Sequence, residues 1–203
     1  MPVEITFVTT TLFALGFLVS FYSIVCLISK KLIVPSFSTL FLYVTIFSLF
    51  GIIGEVFVNT LYERILGAPL WEYRLFPAHD GNISYYFIFI WGSLGFYKYF
   101  SDHYFIKRKI SEVSAGLVMG TEAVFLELVY NGLFLLIFDK YIFYYLPANL
   151  GPLSHLSCLQ VIPFYFIVGL IVTKLITQQK KVRPSKSLLA FYWMIIITFV
   201  FMV

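Results

Sequence analysis

Residues 51–91 read GIIGEVFVNTLYERILGAPLWEYRLFPAHDGNISYYFIFIW, and this order decides the fold. An apolar helix carries a carboxylate and an amide, Glu55 and Asn59, one helical turn apart. A charged and aromatic connection follows, and a second apolar run begins at Tyr85. An ionisable side chain inside a membrane helix is costly unless it faces a partner or a wet cavity, so Glu55 is a candidate functional residue from its setting alone.

Outward from this stretch the chain is of the same kind. Of its 203 residues 61% are hydrophobic and only 12% charged, with a mean hydropathy of +0.93. Such a composition lies outside the range of soluble domains and predicts an all-α, polytopic membrane protein forming one domain over 1–203. Apolar runs predict six helices, at about 5–28, 36–62, 84–104, 113–138, 156–177 and 187–203, of which the last is the shortest. The N-terminus has neither a basic leading region nor a small-residue cleavage site, so the first run is expected to stay as a helix rather than be removed as a signal.

The formal charge of +4 reflects topology rather than nucleic-acid binding, because the basic residues flank apolar runs instead of forming a patch on a polar surface. Eleven of the 14 Lys and Arg residues fall in or beside the connections after the first, third and fifth helices. Among them are Lys30, Lys31, Lys98, Lys107, Arg108, Lys109 and Arg183, while the alternate connections hold Arg64, Arg74 and Lys140. The excess of basic residues marks the inner face and places both termini outside. Trp71, Tyr73, Tyr85 and Tyr86, with Tyr141, Tyr144 and Tyr145, are then expected as an outer aromatic belt. The two outer connections, 63–83 and 139–155, either cap a cavity or lie in the interface as amphipathic segments.

An internal echo recurs at an offset of 72 residues, from Asn59 to Asn131. Ser48, Gly51, Glu55 and Asn59 correspond to Gly120, Ala123, Glu127 and Asn131. The spacing puts each set on one helical face. A parallel repeat of helices 2–3 and 4–5, about an axis along the membrane normal, is the arrangement expected of such an echo. Two readings of the paired acids stay open. In one, Glu55, Asn59, Glu127 and Asn131 line a cavity for a polar head group, a cation or a proton, with Trp71 and Tyr73 at its entrance. In the other, they and the small residues, including Gly116 and Gly120, hold the second and fourth helices together. Glu122 is counted with the ligand-binding residues of the first reading, although, five residues before Glu127, it is turned about 140° away and is expected to serve a different contact.

Other chemistry finds little in the sequence. His79, His103 and His155 stand apart from other ligand residues, so no metal and no cofactor is expected. Cys26 and Cys158 are read as buried free thiols near opposite faces. Cys158 beside His155 lacks a third group for nucleophilic catalysis, and no phosphate-cradling glycine loop occurs. Asn82-Ile83-Ser84 fits a glycosylation sequon at the membrane edge.

Glu55, Glu63, Trp71-Glu72-Tyr73, Gly81, Ile83 and Trp91-Gly92 follow one another with a spacing that resembles the ABC-transporter permease family of CmpB type and the transmembrane protein 229 group, over residues 51–92. Glu72 stands where that family has Asp, Arg74 where it has Ser, and Ala78-His79-Asp80 replaces its Asn-rich approach to the glycine. The resemblance implies a permease-like membrane architecture.

Three functions remain in view. The first is binding or moving a small amphiphilic or lipid-like ligand at an outward-facing acidic site. The second is a non-catalytic subunit of a larger membrane complex or homo-oligomer, and the third a membrane-embedded isoprenoid or lipid enzyme using acid catalysis. The non-enzymatic readings are favoured, in a bacterial inner membrane or a plasma membrane, with membrane lipid as the constant partner and no nucleic acid.

Overall fold

The computed structural model describes residues 3–102, 111–147, 149–182 and 186–202. His103, Lys107, Arg108, Lys109 and Arg183, used above in the metal and charge arguments, lie outside the described residues. The helices are α1 (Phe7–Ser29), α2 (Phe37–Leu66), α3 (Phe87–Phe100), α4 (Glu112–Phe138), α5 (Ile162–Val182) and α6 (Lys186–Met202). Short strands lie in the connections: β1 (Trp71–Tyr73), β2 (Pro77–Ala78), β3 (Ile83–Ser84) and β4 (Phe143–Tyr145), with 3-10 turns at His79–Gly81, Gly151–Leu153 and Leu159–Val161.

The chain is thus an all-α protein, and four of its segments are long and apolar enough to cross a membrane: α1, α2, Val113–Phe138 in α4, and Leu159–Ile176, which runs into α5. Among the described residues the shortest α-helix is α3, not the last one. Its 14 residues rise about 21 Å, against about 30 Å for a typical hydrocarbon core.

Local chemistry sets the ends. Thr6 and Thr9 form a reciprocal capping box at the start of α1, and Ser111 accepts from the Ser114 N–H at the start of α4. The α2 helix outruns its expected end and stops at Gly67, whose φ of 77° suits the left-handed cap. Two helices begin later than hydropathy predicts. Residues 83–86 are drawn into strand β3 and its exit, where Ser84 Oγ donates to the Leu75 carbonyl at 2.5 Å. Residues 156–161 are held in 3-10 turns and bridges rather than helix. Ile83, Tyr86, Cys158 and Val161 among them are buried against protein, which hydropathy alone does not distinguish from burial in lipid.

The α2 helix packs against α3, α5 and α6, α4 against α5, and α1 against α3. Burial separates centre from periphery: 61% of the apolar window of α2 is buried, against 11% for α1. Small residues join α2 to α3 and α4 to α5, rather than α2 to α4 as expected. A Cβ on Gly51 would lie 2.0 Å from the Trp91 ring of α3, and one on Gly120 would lie 3.2 Å from the Ile162 carbonyl oxygen of α5. The α6 helix is pinned at two levels. Trp193 Nε1–H donates to Thr45 Oγ1 at 3.0 Å, and His79 Nε2–H donates at 2.9 Å to the Phe199 carbonyl, one of the last carbonyls of the helix, which lack intrahelical partners.

The aromatic belt is corrected. Trp71, Tyr73, Tyr86 and Tyr145 are buried, while Tyr85 is exposed and Tyr141 and Tyr144 are half-buried. The reason is strand pairing: β1 and β4 run antiparallel with Trp71 opposite Tyr145, Glu72 opposite Tyr144 and Tyr73 opposite Phe143. Alternation along each strand turns its outer two side chains into the helical body and the middle one away. The two connections therefore form one paired cap and not separate amphipathic segments.

Gly51→Val is expected to lower stability by about 1–3 kcal/mol, the usual range for over-packing a filled core, read as an earlier unfolding midpoint in detergent. An unchanged midpoint would show that the Trp91 ring can leave its place without cost.

Candidate functional site

Each site begins with an asparagine. In α2, Asn59 Oδ1 accepts from the Leu70 N–H at 2.8 Å and the Trp71 N–H at 3.2 Å. Its Nδ2 donates to the Trp71 carbonyl at 2.8 Å and to Asn82 Oδ1 at 2.9 Å. In α4, Asn131 Oδ1 accepts from the Ile142 N–H at 2.9 Å, and Nδ2 donates to the carbonyls of Phe143 at 2.8 Å and Leu156 at 3.2 Å. Both asparagines are fully buried. A strand entering an apolar body must have its backbone groups satisfied, and these amides do so for the first residues of β1 and β4. Their hydrogen-bonding capacity is spent on the chain itself, so the ligand contact expected of them is not what holds them in place.

The clamped strands then deliver two phenols. Tyr73, 18 residues after Glu55, donates to Glu55 Oε1. Tyr145, 18 residues after Glu127, donates to Glu127 Oε1 at 2.7 Å. Burial, and then the adjacent carboxylate, pushes both phenols well above the ordinary tyrosine range, so they remain protonated donors. Trp71 and Tyr73, expected at an entrance, are instead 4% and 5% exposed and are packed inside the body.

The two acids differ in what surrounds them. Glu55 is 5% exposed, and its Oε2 and the Trp91 indole N–H are neighbours without hydrogen-bonding alignment. Glu127 is half-buried and accepts three hydroxyls, from Tyr145 and Tyr165 on Oε1 and from Ser157 on Oε2 at 2.5 Å. Tyr165 also lies within electrostatic reach of Glu55. Beside Glu127 lies a cavity of about 50 Å³, walled by Phe17 of α1, Trp91 and Ser93 of α3, Tyr130 of α4 and Tyr165 of α5.

Glu122 is absent from this centre. It sits toward the other end of α4, near Tyr97, Lys98 and Asp102. There Lys98, 2% exposed, pairs with Asp102 at 2.7 Å, and Tyr43 donates to the same carboxylate at 2.8 Å. Sequence reasoning missed this pair, and it missed Tyr145, Ser157 and Tyr165 as partners of Glu127. The repeated interval of 18 residues from Glu to Tyr would have found Tyr145. No local signal marks the other two, which arrive from 30 and 38 residues away.

Among the described residues no group of three His, Cys, Asp or Glu is placed to hold a metal. His155 Nδ1–H donates to the Tyr145 carbonyl at 2.7 Å, and its ring stacks on Tyr144, so it braces β4 rather than activating Cys158. Both cysteines are free, Cys158 fully buried and Cys26 half-buried. Burial, then the nearby Glu127, pushes the Cys158 thiol up to about 12. Asn82 of the sequon accepts from Asn59 through its side chain and from Trp71 Nε1 through its carbonyl.

Replacing either asparagine strands at least two strand backbone groups, at about 1–3 kcal/mol each. Asn59→Leu and Asn131→Leu are each expected to cost roughly 2–6 kcal/mol, read as unfolding in detergent, and a loss within experimental error would show that the strands hold without their clamps. Cys158 is expected to resist maleimide near neutral pH until the protein is unfolded. A thiol raised in the folded state from an ordinary value of 9.0 to about 12 contributes stability that is complete below pH 9 and lost as the pH rises toward 12. An alkaline titration of the unfolding midpoint in wild type and Cys158→Ala checks that sign.

Comparison of the chain with protein-family models, with curated proteins and with solved structures finds no match.

Proposed function

We propose that this protein binds a small amphiphilic or lipid-like molecule within the membrane and passes it between the bilayer and the outer face, with the polar group of the ligand beside Glu127. The observation that carries this reading is the cavity next to Glu127, an acid set among apolar helices that still retains free space on one side. Intramembrane acids facing such space are the usual mark of a ligand or ion path. The wall contributed by α1 favours entry from the bilayer, since α1 is the least buried of the long helices.

The same reading includes six crossings with both termini outside, α3 and α6 spanning with their ends anchored at the interfaces. It also treats α2–α3 and α4–α5 as a parallel repeat about an axis between β1 and β4. Supporting the repeat, the Asn-to-strand bonds and the Glu–Tyr bonds recur between the halves at matching intervals, and the register of β1 with β4 maps onto itself when the halves are exchanged.

A second reading is favoured by one observation: Asn59 and Asn131 are spent on internal bonds, as expected of a structural subunit. Native mass spectrometry of protein released gently from its own membrane separates the two. The expected result is one small amphiphile retained per chain by wild type and lost from both Glu127→Gln and Ala123→Leu, with folding preserved. Equal retention by both variants would remove Glu127 from the site. Protein partners at fixed stoichiometry with no small molecule would establish the subunit reading.

A further inference from the structure

The chemistry of the Glu127 cavity specifies the class of head group it takes, and the inference rests on the binding reading above. Space comes first. A cavity of about 50 Å³ holds only about three to five water-sized groups, so it accommodates a head group and not a whole lipid. Its lining includes the half-buried Phe17, Leu94 and Leu126, apolar contacts for an alkyl chain.

Polarity comes second. None of the described residues lining the cavity is Lys, Arg or His. The nearest basic residue along α3, Lys98, one turn beyond Leu94, is already paired with Asp102. The acid already accepts three hydroxyl protons, from Tyr145 and Tyr165 on Oε1 and from Ser157 on Oε2, which leaves Oε2 able to accept one more. This arrangement suits the acceptor-only ionised carboxylate. Ser93 donates its proton to the Phe89 carbonyl within its own helix, which leaves the Ser93 oxygen as an acceptor.

A third observation points independently to a ligand. Tyr130 is 6% exposed and lines the cavity, yet its hydroxyl makes no hydrogen bond, although Tyr86 and Ser93 are its neighbours. Tyr86 directs its own hydroxyl to the Thr10 carbonyl instead. A buried hydroxyl without a partner costs about 1–3 kcal/mol unless something supplies one. Four further aromatic residues, Trp91, Tyr165, Phe17 and Phe143, line the cavity together with aliphatic residues.

A site that offers a carboxylate, two hydroxyl oxygens and aromatic rings, and no cation, selects a positively charged donor. We infer that the cavity takes the head of a primary alkylammonium amphiphile, its N–H groups donating to Glu127, Ser93 and Tyr130, its charge against the aromatic walls, and its chain leaving past Phe17 and Leu126. Three N–H donors meet three oxygen acceptors, and aromatic faces add the cation–π attraction available to a desolvated ammonium. A zwitterionic phospholipid head fits poorly, because its phosphate finds no basic partner there.

The test uses the full chain in nanodiscs of zwitterionic lipid, titrated with four probes and read by native mass spectrometry: dodecylammonium, dodecanol, dodecanoate and propylammonium. The expected result is one dodecylammonium per chain, bound at least about tenfold more tightly than dodecanol, with dodecanoate excluded. Propylammonium binding as tightly as dodecylammonium would overturn the amphiphile and leave a free amine as the ligand. Glu127→Gln is expected to reduce the ammonium to the level of the alcohol, and Tyr130→Phe to weaken the ammonium more than the alcohol. Dodecanol or dodecanoate binding as tightly as the ammonium in wild type would overturn the cationic assignment while leaving an amphiphile site in place. Failure of all four probes to bind, or binding unaffected by Ala123→Leu in the cavity wall, would instead overturn the binding reading itself.

Discussion

Two asparagine side chains hold the cap to the membrane body, and the site depends on them. A strand that turns back into an apolar environment brings unsatisfied N–H and C=O groups with it, and the cost of leaving them unpaired rises as water is excluded. Asn59 and Asn131 each present a donor and an acceptor in the plane of one amide, which matches an adjacent backbone N–H and C=O. With the strand entrance fixed in this way, β1 and β4 can pair with each other, and period-2 alternation directs Tyr73 and Tyr145 downward onto the two glutamates. The order of dependence therefore runs from amide clamp to strand register to phenol, and from phenol to acid. The glutamates do not organise the cap; they are reached by it.

That order explains which parts of the site could be read from the chain. Glu55, Asn59, Glu127 and Asn131 stand out because polar side chains in apolar helices are rare, and their shared spacing shows at once. The strands do not stand out. Trp71-Glu72-Tyr73 and Phe143-Tyr144-Tyr145 have the composition of an interfacial aromatic belt, and only the buried amides opposite them turn the same residues into paired strands. Hydropathy likewise carried Leu156 and Cys158 into a helix, although Leu156 answers Asn131 through its carbonyl and Cys158 is packed under the cap. In a membrane protein, residues buried in protein and residues facing lipid are apolar alike, so helix bodies were legible while helix starts beside the cap were not.

The partners of Glu127 show a second limit. Tyr145 follows its acid at the same interval as Tyr73 follows Glu55, a regularity of the chain that extends the echo from helix to strand. Ser157 and Tyr165 come from the connection and helix beyond, where the halves no longer keep step. The first half places an indole, Trp91, near its acid, and the second places the hydroxyls of Tyr165 and Ser157. A search for equal residues at equal offsets finds what the halves share and passes over what distinguishes them, and the distinguishing residues are the ones that shape the cavity.

Trp91 is the centre of that difference. Its ring lies against Gly51, where no side chain larger than hydrogen would fit without displacing it, and beside Glu55, so it fills the space around the first acid. The same residue forms part of the wall of the cavity at Glu127, its ring 5.8 Å from the Tyr165 ring. At the position in α4 that answers Gly51 the chain has Ala123, whose single carbon also lines that cavity. One large ring thus closes one half of the molecule and bounds the free space in the other. Two acids that share a helix position, an asparagine clamp and a tyrosine donor end with different capacities because a single indole sits on one side of the axis between them, making Glu55 part of the frame and leaving Glu127 with a face to offer.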